Sequence, residues 1–217
     1  MIGVMVLSFI IQARLQSKFA KYSRIPNDAG MSGAEVAMKM LRDHNIYDVQ
    51  VTCIEGQLTD HYNPQTKTVN LSTAVYSDRS IAAAAVAAHE CGHVVQHACG
   101  YAPLRLRSAL VPAVSFASNS VQWVLLAGVI LVNVTPALLW LGIAMFALTT
   151  FFSFVTLPVE INASQRAVSW LVENDITDPG STPMAVDALR SAAYTYVVAA
   201  IGSLATLLYY IGIARRD

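Results

Sequence analysis

The stretch AAHECGHVVQHACGY, residues 87–101, sets His89, Glu90 and His93 in the pattern H-E-x-x-H, with His97 four residues further on. On a helix, positions i and i+4 share one face and lie about 6 Å apart. Imidazoles from His89 and His93 can therefore take adjacent corners of a zinc tetrahedron. Glu90 is one step round from His89. That is too close for a comfortable third ligand, but well placed to take a proton from a water beside the metal and pass it to a leaving amine. Gly92 costs helix propensity and leaves room for a close-packed backbone. Three fixed residues are by themselves a moderate signal, and the competing reading is a helix that happens to carry three histidines.

A catalytic zinc also needs a third protein ligand and an open position. A metzincin would place a histidine six residues after His93, but that position is Cys99, and Gln96 stands where its glycine is expected. A gluzincin takes a glutamate from a later helix. The best candidate is Glu160 in LPVEINASQRA (157–167), the only acidic residue between Glu90 and Glu173. The competing reading is an interfacial carboxylate capping a helix N-terminus.

The elements that must position these residues follow from local pattern. Residues from Ser80 to about Ala98 are strong helix formers, with Ser77, Asp78 and Ser80 available as caps, and the H-E-x-x-H lies inside that helix. Ser32-Gly33-Ala34-Glu35 is a capping box opening a helix to about His44. YDVQVTCIEG (47–56) alternates like a strand, and residues 58–72 form two short extended pieces around Asn63-Pro64, a hairpin.

Over half of the 217 residues are apolar and 13% are charged, against roughly 25% in an ordinary soluble domain. Formal net charge is zero, so nothing points to nucleic acid. Residues 2–11 are apolar but shorter than the roughly 20 needed to span, and read as a membrane anchor. Residues 111–157 are nearly uncharged and broken at NVTP (133–136), giving spans at about 113–132 and 137–157 joined by a tight hairpin. Residues 192–213 are the last block, closed by Arg215 and Arg216. The H-E-x-x-H helix is expected to run straight into the second span. The hairpin then returns the chain to the same membrane face, where Glu160 can meet His89 and His93.

Arg14, Lys18, Lys21, Arg24, Arg105, Arg107 and Arg166 flank these blocks. The positive-inside rule puts 12–110 and 158–191 in the cytoplasm and the NVTP tip outside. Arg215 and Arg216 count against a full crossing by the last block. The expected fold is mainly α, a multi-pass membrane protein of about four spans, with a small α+β zincin-like cytoplasmic domain carrying the HExxH helix. Its parts are an anchor (1–20), the cytoplasmic domain (21–110), a transmembrane hairpin (111–157), a cytoplasmic segment with the third ligand (158–191) and a C-terminal membrane helix (192–217).

Cys53, Cys91 and Cys99 form no C-x-x-C pair, so no disulfide framework is implied, and Cys91 should point away from the metal. His97 drifts to one side of the metal face; it either supports the site, binds a substrate carboxyl, or is a surface residue. His61 and Tyr62 lie on the hairpin before the helix. They either stabilise an oxyanion beside a substrate-pairing edge strand or form a polar turn. Arg166 and Arg190 face the site or lipid headgroups.

The segments KYSRIPNDAGMSGAEVA, GQLTDHYNPQTKTVNLS, VAAHECGHVVQHACGYAPLRLRS, LPVEINASQRA and TYVVAAIGSLATLLYY together resemble the neutral zinc metallopeptidases of the YugP type, the zinc peptidase-2 family. The resemblance covers nearly the whole chain. It implies a multi-pass metallopeptidase of the bacterial cytoplasmic membrane. More distantly, the layout is similar to the HtpX and CAAX prenyl proteases, where a glutamate after a membrane hairpin completes the zinc site. In those relatives an aspartate four residues after the glutamate orients a zinc-bound histidine; here that position is Ser164, with Asn162 two after Glu160.

The expected function is an integral-membrane zinc metallopeptidase. His89, His93 and Glu160 hold one Zn2+ per chain, Glu90 is the general base, and the site lies at the cytoplasmic membrane surface. The substrate is a polypeptide, membrane-associated by the layout. The rival is a membrane adaptor or assembly partner of a proteolytic complex with a structural or residual zinc. A small-molecule transporter fits poorly, because the spans carry almost no charge.

Overall fold

The computed structural model describes residues 2–215; Met1, Arg216 and Asp217, and with them one of the two arginines closing the last apolar block, lie outside the described residues. The elements in chain order are α1 (Ile2–Tyr22), α2 (Gly33–Asp43), β1 (Gln50–Ile54), β2 (His61–Asn63), β3 (Thr68–Ser72), α3 (Thr73–Tyr76), α4 (Ile81–Ala98), α5 (Ala102–Ile130), α6 (Pro136–Glu173) and α7 (Thr182–Ala214). They fall into two compact units. One is built from the chain's start up to Ser8, Ala102–Pro158, and the stretch from Thr195 on; the other comprises Phe9–Tyr101 and Val159–Tyr194.

The first unit is helical and apolar. Among the described residues three helices, α5, α6 and α7, are long and apolar enough to cross a membrane. The expected count of about four is therefore corrected to three. α1 is a helix, but Gln12, Arg14, Gln16, Lys18 and Lys21 break up its second half, and too little apolar length remains. The α5–α6 hairpin turns where Pro136 begins α6, a position at which its fixed φ suits the helix and its missing N–H costs nothing. Val134 and Thr135 donate back to the Leu131 carbonyl at 2.9 and 2.7 Å. Val121, Leu125, Leu139 and Ile143 form the buried seam. A Cβ on Gly128 would lie 2.7 Å from Leu139 Cα, so glycine is what lets these helices touch. Pro112 and Pro158 sit inside unbroken helices. Each withholds one N–H from the ladder without ending it, and α6 runs on to Glu173.

The second unit is α+β. The capping box forms, with Glu35 N–H donating to Ser32 Oγ at 3.3 Å and Ser32 N–H to Glu35 Oε2 at 2.7 Å. Ser80 Oγ caps α4 by accepting from Ala83 N–H at 3.2 Å. The hairpin is β2–β3, antiparallel, with Tyr62 opposite Val69. β1 joins β3 in parallel, giving the order β1-β3-β2 and leaving β2 at an edge. The alanine-rich start of α4 is fully buried and, with Val36, Met40, Val69, Leu71 and Leu171, makes the core.

α4 does not run straight into the second span. It ends at Ala98, and Gly100 adopts φ +64°. Tyr101 N–H donates to the Gln96 carbonyl at 2.9 Å and Gly100 N–H to the His97 carbonyl at 3.1 Å. This is a Schellman stop, which needs the left-handed conformation glycine adopts without penalty. α5 starts afresh at Ala102.

Candidate active site

α4 presents two faces to its neighbours. His89, His93 and Gln96, spaced i, i+4 and i+7, meet the Val159–Glu173 part of α6. Glu90, Val94 and His97, with the same spacing, lie beside β2. The first contact is close because of Gly92: a Cβ there would lie 2.6 Å from the Ala163 carbonyl oxygen. The room inferred from this glycine is room for α6.

Glu160 meets both histidines. Its Oε2 lies 3.3 Å from His89 Nε2 and 3.6 Å from His93 Nε2. The two rings stand nearly perpendicular, at 82° with centroids 4.8 Å apart. One ligand atom from each of the three residues falls within 4.8 Å of the others. Tetrahedral zinc with bonds of about 2.0–2.2 Å holds its ligand atoms about 3.3–3.6 Å apart, the separation of Glu160 Oε2 from each imidazole Nε2, and two imidazoles with a carboxylate are a donor set that ion takes. Glu160, His93 and Glu90 are all buried.

The far nitrogen of each imidazole has a hydrogen-bonding partner. His89 Nδ1 is 3.1 Å from Ser164 Oγ, and His93 Nδ1 is 3.1 Å from Gln96 Oε1. Gln96 cannot flip at no cost. Its Nε2 donates to the Val159 carbonyl at 2.8 Å and to Asn162 Oδ1 at 3.0 Å. Its Oε1 therefore faces His93 and accepts the Nδ1 proton, so the neutral imidazole would present its Nε2 lone pair on the Glu160 side. Arg166 Nε donates to Asn162 Oδ1 at 2.8 Å and closes the chain. Burial works against a charged His93, but its hydrogen bond to Glu160 and the nearby Glu90 carboxylate outweigh it and raise its pKa above the ordinary imidazole value. The site favours positive charge.

Glu90 is turned the other way. Its Oε2 accepts the Tyr62 main-chain N–H at 3.0 Å. The Tyr62 phenol lies 2.9 Å from His97 Nδ1. Burial, then the Asp48 carboxylate, pushes the phenol's pKa up, so it stays a neutral hydroxyl.

The structure thus gathers His89, His93, Glu160 and Ser164 directly, and Asn162 and Arg166 through Gln96. His97 faces Tyr62 rather than the triad. His61 is exposed and bonds the Thr59 carbonyl at 2.8 Å and Asn70 Nδ2 at 3.3 Å, away from the triad. Cys91 Sγ points to the Ala37 carbonyl at 3.6 Å, and burial pushes its thiol's pKa well up. Gln96 was legible only as an off-pattern residue; its spacing of three from His93 on one helix face is the signal that could have found it.

A family model described as "Putative neutral zinc metallopeptidase" matches residues 1–215. A curated relative from Bacillus subtilis (strain 168), named "Putative membrane protease YugP", is 41% identical over 210 residues, covering 97% of this chain and 92% of the relative. No solved structure matches.

Proposed function

Because the chain belongs to the neutral zinc metallopeptidase family, we propose that it is a multi-pass membrane peptidase in which His89, His93 and Glu160 hold one zinc ion and Glu90 is the general base. The observation that carries this is the convergence of the three ligand atoms within 4.8 Å. Among the described residues that group has three members, the number of an open catalytic zinc rather than a closed structural one.

When bound, zinc supplies Lewis acidity, polarising the scissile carbonyl and bringing a water's pKa to about 7. The chain's own residues do the rest. Glu90 takes the proton of the attacking water and delivers it to the leaving amine. Gln96 holds His93 in its metal-binding tautomer, and Ser164 hydrogen-bonds the far nitrogen of His89. β2, at the sheet edge, holds the Glu90 carboxylate in place through the Tyr62 main-chain N–H. The half-buried phenol of Tyr62 and the exposed His97 pair with each other on the Glu90 side of α4.

The basic residues around the apolar blocks support a site on the cytoplasmic face of the bacterial membrane. α1 exposes Met5, Phe9 and Ile10, which suits an additional shallow anchor. Glu160 follows the apolar stretch of α6 by a few positions, which favours membrane or membrane-associated polypeptides as substrates. The test is metal removal from the detergent-solubilised full chain. Cleavage of a denatured protein substrate is expected to stop on chelation and return with one equivalent of zinc. Undiminished cleavage by stripped protein would refute the assignment.

A further inference from the structure

A pocket of about 200 Å³ lies against the Glu90 stripe of α4. Its aliphatic walls are Ile46, Val49, Val94 and Ala98, and Asp48 and Lys67 also line it. Tyr62 and His97 complete it. Tyr62 belongs to both places: its main-chain N–H holds Glu90 and its side chain lines the pocket.

Position follows from helix geometry. Val94 is one turn beyond Glu90 and Ala98 two, at about 5.4 Å per turn. An extended substrate advances about 3.3–3.6 Å per residue. The pocket is therefore in reach of a side chain within about three residues of a bond cut at Glu90.

Selectivity follows from which groups are already satisfied. Lys67 Nζ pairs with Asp48 Oδ2 at 2.5 Å, and both are more than half exposed. The Tyr62 hydroxyl is engaged with His97 Nδ1 at 2.9 Å. Charge sums to zero and the two lining charges already pair with each other, so a charged side chain entering finds no unpaired partner, whereas an apolar one packs on Ile46, Val49 and Val94. The volume holds about seven water-sized groups of about 30 Å³.

Resting on the peptidase reading above, we infer that this is the substrate-specificity pocket, which receives an uncharged side chain of leucine to phenylalanine size from the polypeptide substrate.

The test is a cleavage-site profile of the full chain in detergent on a proteome-derived peptide library, read by mass spectrometry, with zinc content measured for every variant. One position within three residues of the cut should favour Leu, Met and Phe over Asp and Lys by about tenfold or more. Ala98→Phe fills the pocket from its exposed rim and should shift that position to Gly and Ala. Asp48→Asn leaves Lys67 unpaired and should draw Asp and Glu into it. Should Ala98→Phe lose zinc, the surface change Asp48→Asn decides. A flat profile, or the wild-type profile in both variants, overturns the pocket and leaves the peptidase standing. No cleavage by zinc-loaded wild type overturns the peptidase reading, and the pocket's role with it.

Discussion

The main-chain N–H of Tyr62 donates to Glu90 Oε2 at 3.0 Å, so the carboxylate of the H-E-x-x-H motif is positioned by an edge strand and not by its own helix. A backbone donor does not depend on the side chain at position 62. It fixes one carboxylate oxygen and leaves the other for proton transfer.

This bond makes Glu90→Gln a clean substitution. The amide oxygen of glutamine can still accept from Tyr62 N–H, so the cleft should keep its shape and one zinc per chain. What is lost is a group that takes up a proton, and the cleavage rate should fall about 10²–10⁴-fold. Steady-state cleavage alongside elemental analysis checks this; an unchanged rate would remove Glu90 from its role.

Glu160→Ala should behave in the opposite way. Glu160 is 4% exposed and within 3.6 Å of both Nε2 atoms. Its loss leaves two imidazoles and a hole, so zinc should drop from about one ion per chain to near zero under conditions that saturate wild type. A variant holding zinc as tightly as wild type would mean that the third ligand lies elsewhere.

The groups behind the histidines should tune affinity rather than abolish it. Gln96→Leu removes the acceptor of His93 Nδ1–H and the tie to the Val159 carbonyl. Ser164→Ala frees His89 Nδ1. Each should weaken zinc binding about 10–100-fold. Ser164→Asp, which places a carboxylate behind His89, should tighten it. Competition against a chromophoric chelator measures all three.

Gly92→Ala tests the approach of α4 to α6. Intrinsic helix propensity favours alanine by about 1 kcal/mol. Against this, the added Cβ would meet the Ala163 carbonyl oxygen at 2.6 Å, a backbone atom with little room to retreat. Packing should win, with a lower melting temperature and weaker zinc binding. A more stable variant with normal zinc would show that the helices can separate without disturbing the site.

The features readable from sequence are those made by neighbours in the chain. The Ser32–Glu35 box, the Ser80 cap, the hairpin around Asn63-Pro64 and the turn before Pro136 each rest on sterics or hydrogen bonds spanning a few residues. The spacing of His89 and His93 is of the same kind, because a helix alone puts i and i+4 together. Glu160 was reachable because no other acidic residue lies between Glu90 and Glu173. Tertiary structure decided what depends on where the chain returns. The parallel pairing of β1 with β3 joins segments with no local signal for it. The stop at Gly100 overrode the apparent continuity of α4 and α5, because one left-handed residue closes a helix whatever the hydropathy on either side. Gln96 became a support for His93 only once Val159 and Asn162, more than sixty positions away, fixed the direction of its amide. Side-chain chemistry is written in the sequence, but the direction a buried polar group faces is set by the partners that satisfy it, and those come from other parts of the chain.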